Sequence, residues 1–509
     1  MTVSVVGNAG IAGAALAPSL VSATPNLSAS NLALTTDAVS PSASVSQPGV
    51  EVTLGNVPSA DIVYAKLAVA ANKTAWTTPP TGDLGQLMES NLKAHVQAGD
   101  FSSLLSGLGS QLLSTFSTTQ RDFQQTAVVY RPSYSSAIDG GAAAATDALQ
   151  AAKSIQNNIS LKIYTASGKA IDIAITFGGN GGTVQDSLGI ELHTSDALSI
   201  AEQVAISRLA SGFDAALQGI GKDSTQVDIS GLVGFDTKVL SSVDLNVQEA
   251  PQANALRSLA LHVDASRRSF ALQSHAGNVS VNVNLSSPAP LGSTAQQQSA
   301  VQHYLDQFDT ANQRAHGDAT LLGQFKDAFA QLHSSYPVAG QQFVGQQSSR
   351  ALFASRLSTE DQAALSGLAD FEAGMSGDFN NSATYGITTE AGHLNYQVSQ
   401  STQTHGADKN KGLSVAQTQV ATLDSVFAKS RSGMLNTDIG NYDIYRINDN
   451  SSITTAFEYA DDKLKSASVT NLVSQSEKYQ KLENHKIVAE RNTPHNTFTV
   501  EDISKKLQP

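Results

Sequence analysis

Cysteine is absent from the 509 residues and tryptophan occurs once. Without thiols the chain forms no disulfide, thiolate nucleophile, zinc–thiolate site or iron–sulfur cluster. That suits a cytosolic protein, and it suits equally a bacterial protein exported unfolded. Charge is sparse, with Asp, Glu, Lys and Arg making up 15% and aromatics 6%, against about 25% charged residues in ordinary globular proteins. Lys and Arg number 31 against 44 acids, a formal charge of −13. No basic stretch offsets it, so nucleic acid and anionic membrane surfaces are not expected partners. Nor does any run approach the ~18 apolar residues of a spanning helix, and no transmembrane segment is expected.

The sequence does contain an approximate internal repeat. Residues 198–210 read LSIAEQVAISRLA and are followed by SGFDAALQG; residues 357–369 read LSTEDQAALSGLA and are followed by DFEAGMSG. Ser199 and Ser358 stand where an N-cap belongs, and Glu202 or Asp361 three residues on completes a capping box. Ala205, Leu209, Phe213 and Leu217 share a helical face, as do Ala364, Leu368, Phe371 and Met375. This spacing predicts two related amphipathic helices, each packed on strands.

Residues 1–59 are Ala, Ser, Thr, Val and Pro with only Asp37 and Glu51 charged, and the first basic residue is Lys66. So little apolar surface predicts disorder. The composition is that of type III and flagellar export signals, and equally that of a plain tail. Residues 84–96 and 101–123 read as helices, although Gly107 and Gly109 weaken the second. Hairpins are expected at 160–164 with 170–177, then at 184–193, and again at 258–264, 269–274 and 278–285. Helices are expected at 298–315 and 320–333, and strands at 239–248, 394–400 and 469–476. The expected fold class is α+β: two related units of antiparallel β-hairpins packed on amphipathic helices behind a disordered N-terminal segment. Its parts are a tail at 1–59, a helical region at 60–157, α+β units at 158–291 and 292–480, and a polar tail at 481–509.

The search for chemistry yields no catalytic assignment. The glycine-rich loop at 178–182 lacks the third glycine of a dinucleotide site and leads into a strand, so it reads as a hairpin turn. Gly221-Lys222 is not a P-loop, since Asp223 stands where Ser or Thr is required. Among 11 histidines none forms a close ligand pair. His262 with His275, and His303 with His316, are the nearest candidates, and no metal or cofactor is expected. Asn436-x-Asp438-x-Gly440 reads as a polar turn rather than a calcium loop. Ser90-x-x-Lys93 matches an acyl-enzyme motif without its partner motifs.

In its Ser/Thr-rich N-terminus, its hairpins and its L-S-x-x-[ED]-Q helix, the chain resembles a group of bacterial proteins with no established activity. The resemblance covers a third to a half of the chain and carries over no catalytic residue. The sequence therefore reads as an acidic, non-enzymatic interaction or structural protein with a protein partner, exported by a type III or flagellar-like route or else cytoplasmic. The alternative is a secreted hydrolase whose site, drawn from residues such as His262, His275 and Asp264, forms only in the fold.

Overall fold

The structure is a computed structural model that describes residues 72–507, apart from 116–121, 131–141, 153–156, 180–184, 223–225, 249–255, 335, 337–356, 383–385, 407–408 and 410–411. The expected tail at 1–59 lies outside the described residues. So does most of the glycine-rich loop.

Alternation of apolar and polar residues dictates the fold. In β3 (Asn157–Thr165) and β4 (Ala170–Gly178), Ile159, Leu161, Ile163, Ile171, Ile173 and Ile175 all fall on one face and are buried. The same period of two recurs in β6 (Leu240–Gln248), β7 (Leu256–Asp264), β8 (Arg267–Ser274) and β9 (Asn278–Asn284). With β1 (Lys73–Trp76), β2 (Asp122–Tyr130) and β5 (Gln185–Thr194), these strands join one antiparallel sheet. It continues through β10 (Asp370–Ser382), β11 (Thr388–His405), β12 (Leu413–Ser430), β13 (Tyr442–Ala460), β14 (Lys463–Glu483) and β15 (Lys486–Asp502). The order is β1-β2-β5-β4-β3-β6 and then sequential to β15.

Helices cover the apolar face. First come α1 (Gly82–Ala98), α2 (Phe101–Leu105) and α3 (Leu108–Thr115), against which α5 (Ile200–Arg208) and α6 (Ala210–Gly221) are packed, with α7 (Ser230–Val233) lying on α6. Further along the sheet lie α8 (Thr294–Ala315) and α9 (Ala319–Leu332). A Cβ on Gly212 would stand 2.6 Å from the Gly231 backbone, so α6 and α7 approach as closely as they do only because both positions are glycine. One apolar core runs from Leu84 to Ile447. The opposite face is covered at one corner, where α4 (Ala142–Ala152) packs on β1, β2 and β5 and Ala148 joins Ala75, Val128 and Tyr130.

The antiparallel sheet and helix layer match the α+β expectation, but the finer reading needs correction. The expected divides at 157/158 and 291/292 do not interrupt the sheet, since β2 pairs directly with β5 and β9 with β10. The residues expected as a polar tail at 481–509 mostly form β15, which is solvated on both sides. The helix expected at 101–123 is broken into α2 and α3 at Gly107, whose φ is 70°, and Asp122 already belongs to β2. The two capping boxes form as expected: Ser199 with Glu202, and Ser358 with Asp361. Beyond them the segments part. The first continues into α6, whereas α10 (Thr359–Ala363) stops after five residues and Phe371 and Met375 lie on β10. A spacing of four is even, so it fits one face of a strand as well as a helix. Phe371, Ala373, Met375 and Phe379 are buried at a spacing of two or four, and that wider pattern marks the strand.

Candidate functional site: the open polar face of the sheet

The face turned away from the helix layer carries rows of polar and small residues held in register. One row runs from Ser160 on β3 through Asn246, Ala260, Ala271 and Ser280 to Gly374 on β10. It continues through Gln397, Thr422, Asn450 and Ser474 to Asn496 on β15. On the other side Ser160 adjoins Ala174, which adjoins Glu191, which adjoins Gln124. Fourteen strands thus place polar and small residues side by side, because antiparallel pairing that holds its register at this row transmits one residue's face to the next strand.

Over β8–β12 this face hollows into a trough of about 610 Å³. Ala271, Ser280 and Gly374 form a low floor, and Gln273, Asn282, Glu372, Asn395, Gln397 and Ser399 rise around it. Amides and hydroxyls both donate and accept, so the trough offers hydrogen bonds of either sense. Glu372 is the one carboxylate among its lining residues.

A second row alternates acidic and basic residue types: Asp122, His193, Asp172, Lys162, Asp244 and His262 are register neighbours across six strands. His193 Nδ1 lies 2.5 Å from Asp122 Oδ1, and Lys162 Nζ 3.1 Å from Asp172 Oδ1. These pairs are exposed, and each contributes about 0–1 kcal/mol. They line a shallower hollow of about 490 Å³. At the row's end His262 is held from both sides, Nδ1 2.6 Å from Asp244 and Nε2 3.0 Å from Asp264. Partial burial alone would lower its pKa, but the bonds to the two carboxylates outweigh it and raise the imidazole above its ordinary value. Asp264 in turn accepts from the Ser266 backbone at 2.6 Å, the Ser266 hydroxyl at 2.8 Å and the Arg267 backbone at 2.7 Å, which overcome burial and hold its carboxyl low.

The structure therefore brings together His262 and Asp264 of the sequence candidates, and adds Asp244. His275 is not with them; it is an exposed residue of the β8–β9 turn. His303 is exposed on α8, while His316 stacks on Phe427 and bonds Glu390 at 2.8 Å. Lys93 pairs with Glu89 at 2.6 Å rather than with Ser90. Asn436 accepts from the Asp438 backbone at 2.9 Å, which makes that segment the turn its sequence suggested. Among the described residues no group of three His, Asp or Glu is placed to hold a metal ion. The amide rows were not identified from the sequence. Their signal was present in NVSVNVN at 278–284, where every outward residue is Asn or Ser.

The chain matches no protein-family model, no curated protein and no solved structure.

Proposed function

We propose that this protein is a non-enzymatic binding protein whose open sheet face is its interaction surface, with an extended polar face of a protein as partner. The observation that supports this most is the in-register row of Ala, Ser, Gly, Asn and Gln across the trough. A low floor lets a partner come close, and the surrounding amides bond to main-chain or side-chain polar groups without desolvating a full charge. The cluster of Asp244, His262 and Asp264 favours binding over hydrolysis. Both imidazole nitrogens are engaged by carboxylates, so neither is available to take a proton from a nucleophile.

The test is site-specific photocrosslinking of the full chain in its native cells, followed by binding measurements with the purified pair. A crosslinker at Ser280 captures a defined partner, whereas one at Val204, exposed on the helix layer, does not. Ser280→Arg then weakens binding of that partner by about tenfold or more. Unchanged affinity in Ser280→Arg would remove the open face from the interaction.

A further inference from the structure

The helix layer ends before the sheet does. Beyond α8 the core-side faces of β12, β13 and β14 form the floor of a groove whose wall is the flank of that helix. Two hollows, of about 200 and 370 Å³, share Gln307, Thr310, Ala421, Ser451 and Val473 as lining residues and so adjoin one another. Their floor is apolar, with Leu423, Val473 and Ile453 on neighbouring strands, and their rim is polar. That combination and size suit a small organic molecule.

Two polar atoms in the groove walls have no hydrogen-bond partner among the described residues. Tyr396 is 2% exposed and packed by Phe308 and Phe325, and its hydroxyl makes no hydrogen bond. Asn471 Oδ1, at the other end, is buried and likewise unbonded. Burial pushes the Tyr396 hydroxyl well above its ordinary pKa, so it stays protonated and acts as a donor. Among the described lining residues the one permanent cation, Arg314, is already engaged. Arg314 grips Asp449 through Nε and a terminal nitrogen and has Glu477 3.8 Å away. An anionic head group would therefore have to compete with Asp449 and Glu477 for Arg314.

We propose that this groove binds a neutral small molecule with an apolar body and a hydrogen-bond acceptor, the acceptor meeting the Tyr396 hydroxyl. The site lies on the helix side of the sheet, across it from the open polar face.

Nile red, an uncharged dye with one carbonyl acceptor, is the probe. Titrated into the full chain, it binds saturably at one site with blue-shifted emission. Ser451→Trp, which fills the junction of the two hollows from a half-buried strand position, lowers affinity about tenfold or more. Tyr396→Phe lowers it about fivefold, the loss of one hydrogen bond, with the thermal midpoint retained. The exposed pair Leu472 and Phe498 lies on the opposite face beside the free edge, so the double variant Leu472→Ser/Phe498→Ser binds as the parent does. Absence of saturable binding overturns the proposal. Binding that survives Ser451→Trp but vanishes in the double variant also overturns it, because it places the dye on the surface patch. Unchanged affinity in Tyr396→Phe removes the hydroxyl from the site and with it the acceptor requirement.

Discussion

The hydroxyl of Tyr459 donates to Asp361 Oδ2 at 2.5 Å, with both residues buried, and so joins the short helix α10 to β13. The same carboxylate oxygen accepts from the Ser358 backbone at 3.3 Å. One acid thus caps a helix and anchors a strand nearly a hundred residues away in sequence. Tyr459→Phe is expected to cost about 1.5–3 kcal/mol, the usual value of a hydrogen bond to a charged group. Asp361→Ala is expected to cost more, because the cap is lost as well. Urea unfolding checks both through a lower midpoint at constant slope. A Phe variant as stable as the parent would show that this contact is not formed.

Glu202 shapes the acid limb of stability. Burial works against its ionisation, but bonds from Ser167, Lys169 and the Ser199 backbone outweigh it and hold the carboxyl at about 2. Below its unfolded value the unfolded chain binds the proton more readily. The stabilisation, about 3 kcal/mol at one pKa unit per 1.36 kcal/mol, is therefore present above about pH 4.5 and lost as pH falls toward 2. Glu202→Gln should flatten the stability–pH curve across that window. A variant curve parallel to the parent's would contradict the assignment.

His333 acts in a higher window. It is wholly buried against Phe329 and Phe371, and desolvation drops its pKa to about 3. The neutral ring contributes fully above pH 6.5, while below it the unfolded state gains a proton that the folded state refuses. His333→Phe should therefore reduce the loss of stability between pH 6.5 and 3. Proton NMR should show no titration of this ring above pH 4.

His262 has the opposite sign. Its pKa is raised, so its pairing with Asp244 and Asp264 stabilises the fold below pH 6.5 and ceases to do so as pH rises through the folded value. Asp244→Asn should bring the NMR-measured pKa of His262 down. A value unmoved by that change would mean that Asp244 does not charge the ring.

Much of the sheet was legible in the sequence where inward residues are large. Ile159 to Phe177 and Leu259 to Val283 announce their period of two, and the helices carrying Tyr304, Phe308, Phe325 and Phe329 announce theirs. The long strands β12 and β13 carried no comparable signal. Their core-side positions include Ala421, Gln417 and Ser425, whose polar groups are satisfied by bonds such as Gln417 to Thr402 at 3.2 Å and Ser425 to the Ala315 carbonyl at 3.1 Å. A buried Gln or Ser looks like a surface residue until its partner is known. The same ambiguity hid the open face, where Asn and Ser mark solvent and binding alike. The cluster at His262 was half legible: His262 and Asp264 share a strand, but Asp244 arrives from β6 only through pairing.

A chain without cysteine allows each side of the sheet to be tested with a single introduced thiol. The most direct measurement is the alkylation rate of Ser280→Cys and Val281→Cys in the native protein, neighbours on β9 that the fold sends to opposite faces. Rapid modification is expected at 280, strong protection at 281, and loss of reactivity at 280 once the crosslinked partner is bound. Protection of 280 in the free protein, rapid modification of 281, or a partner that leaves 280 fully reactive would contradict it.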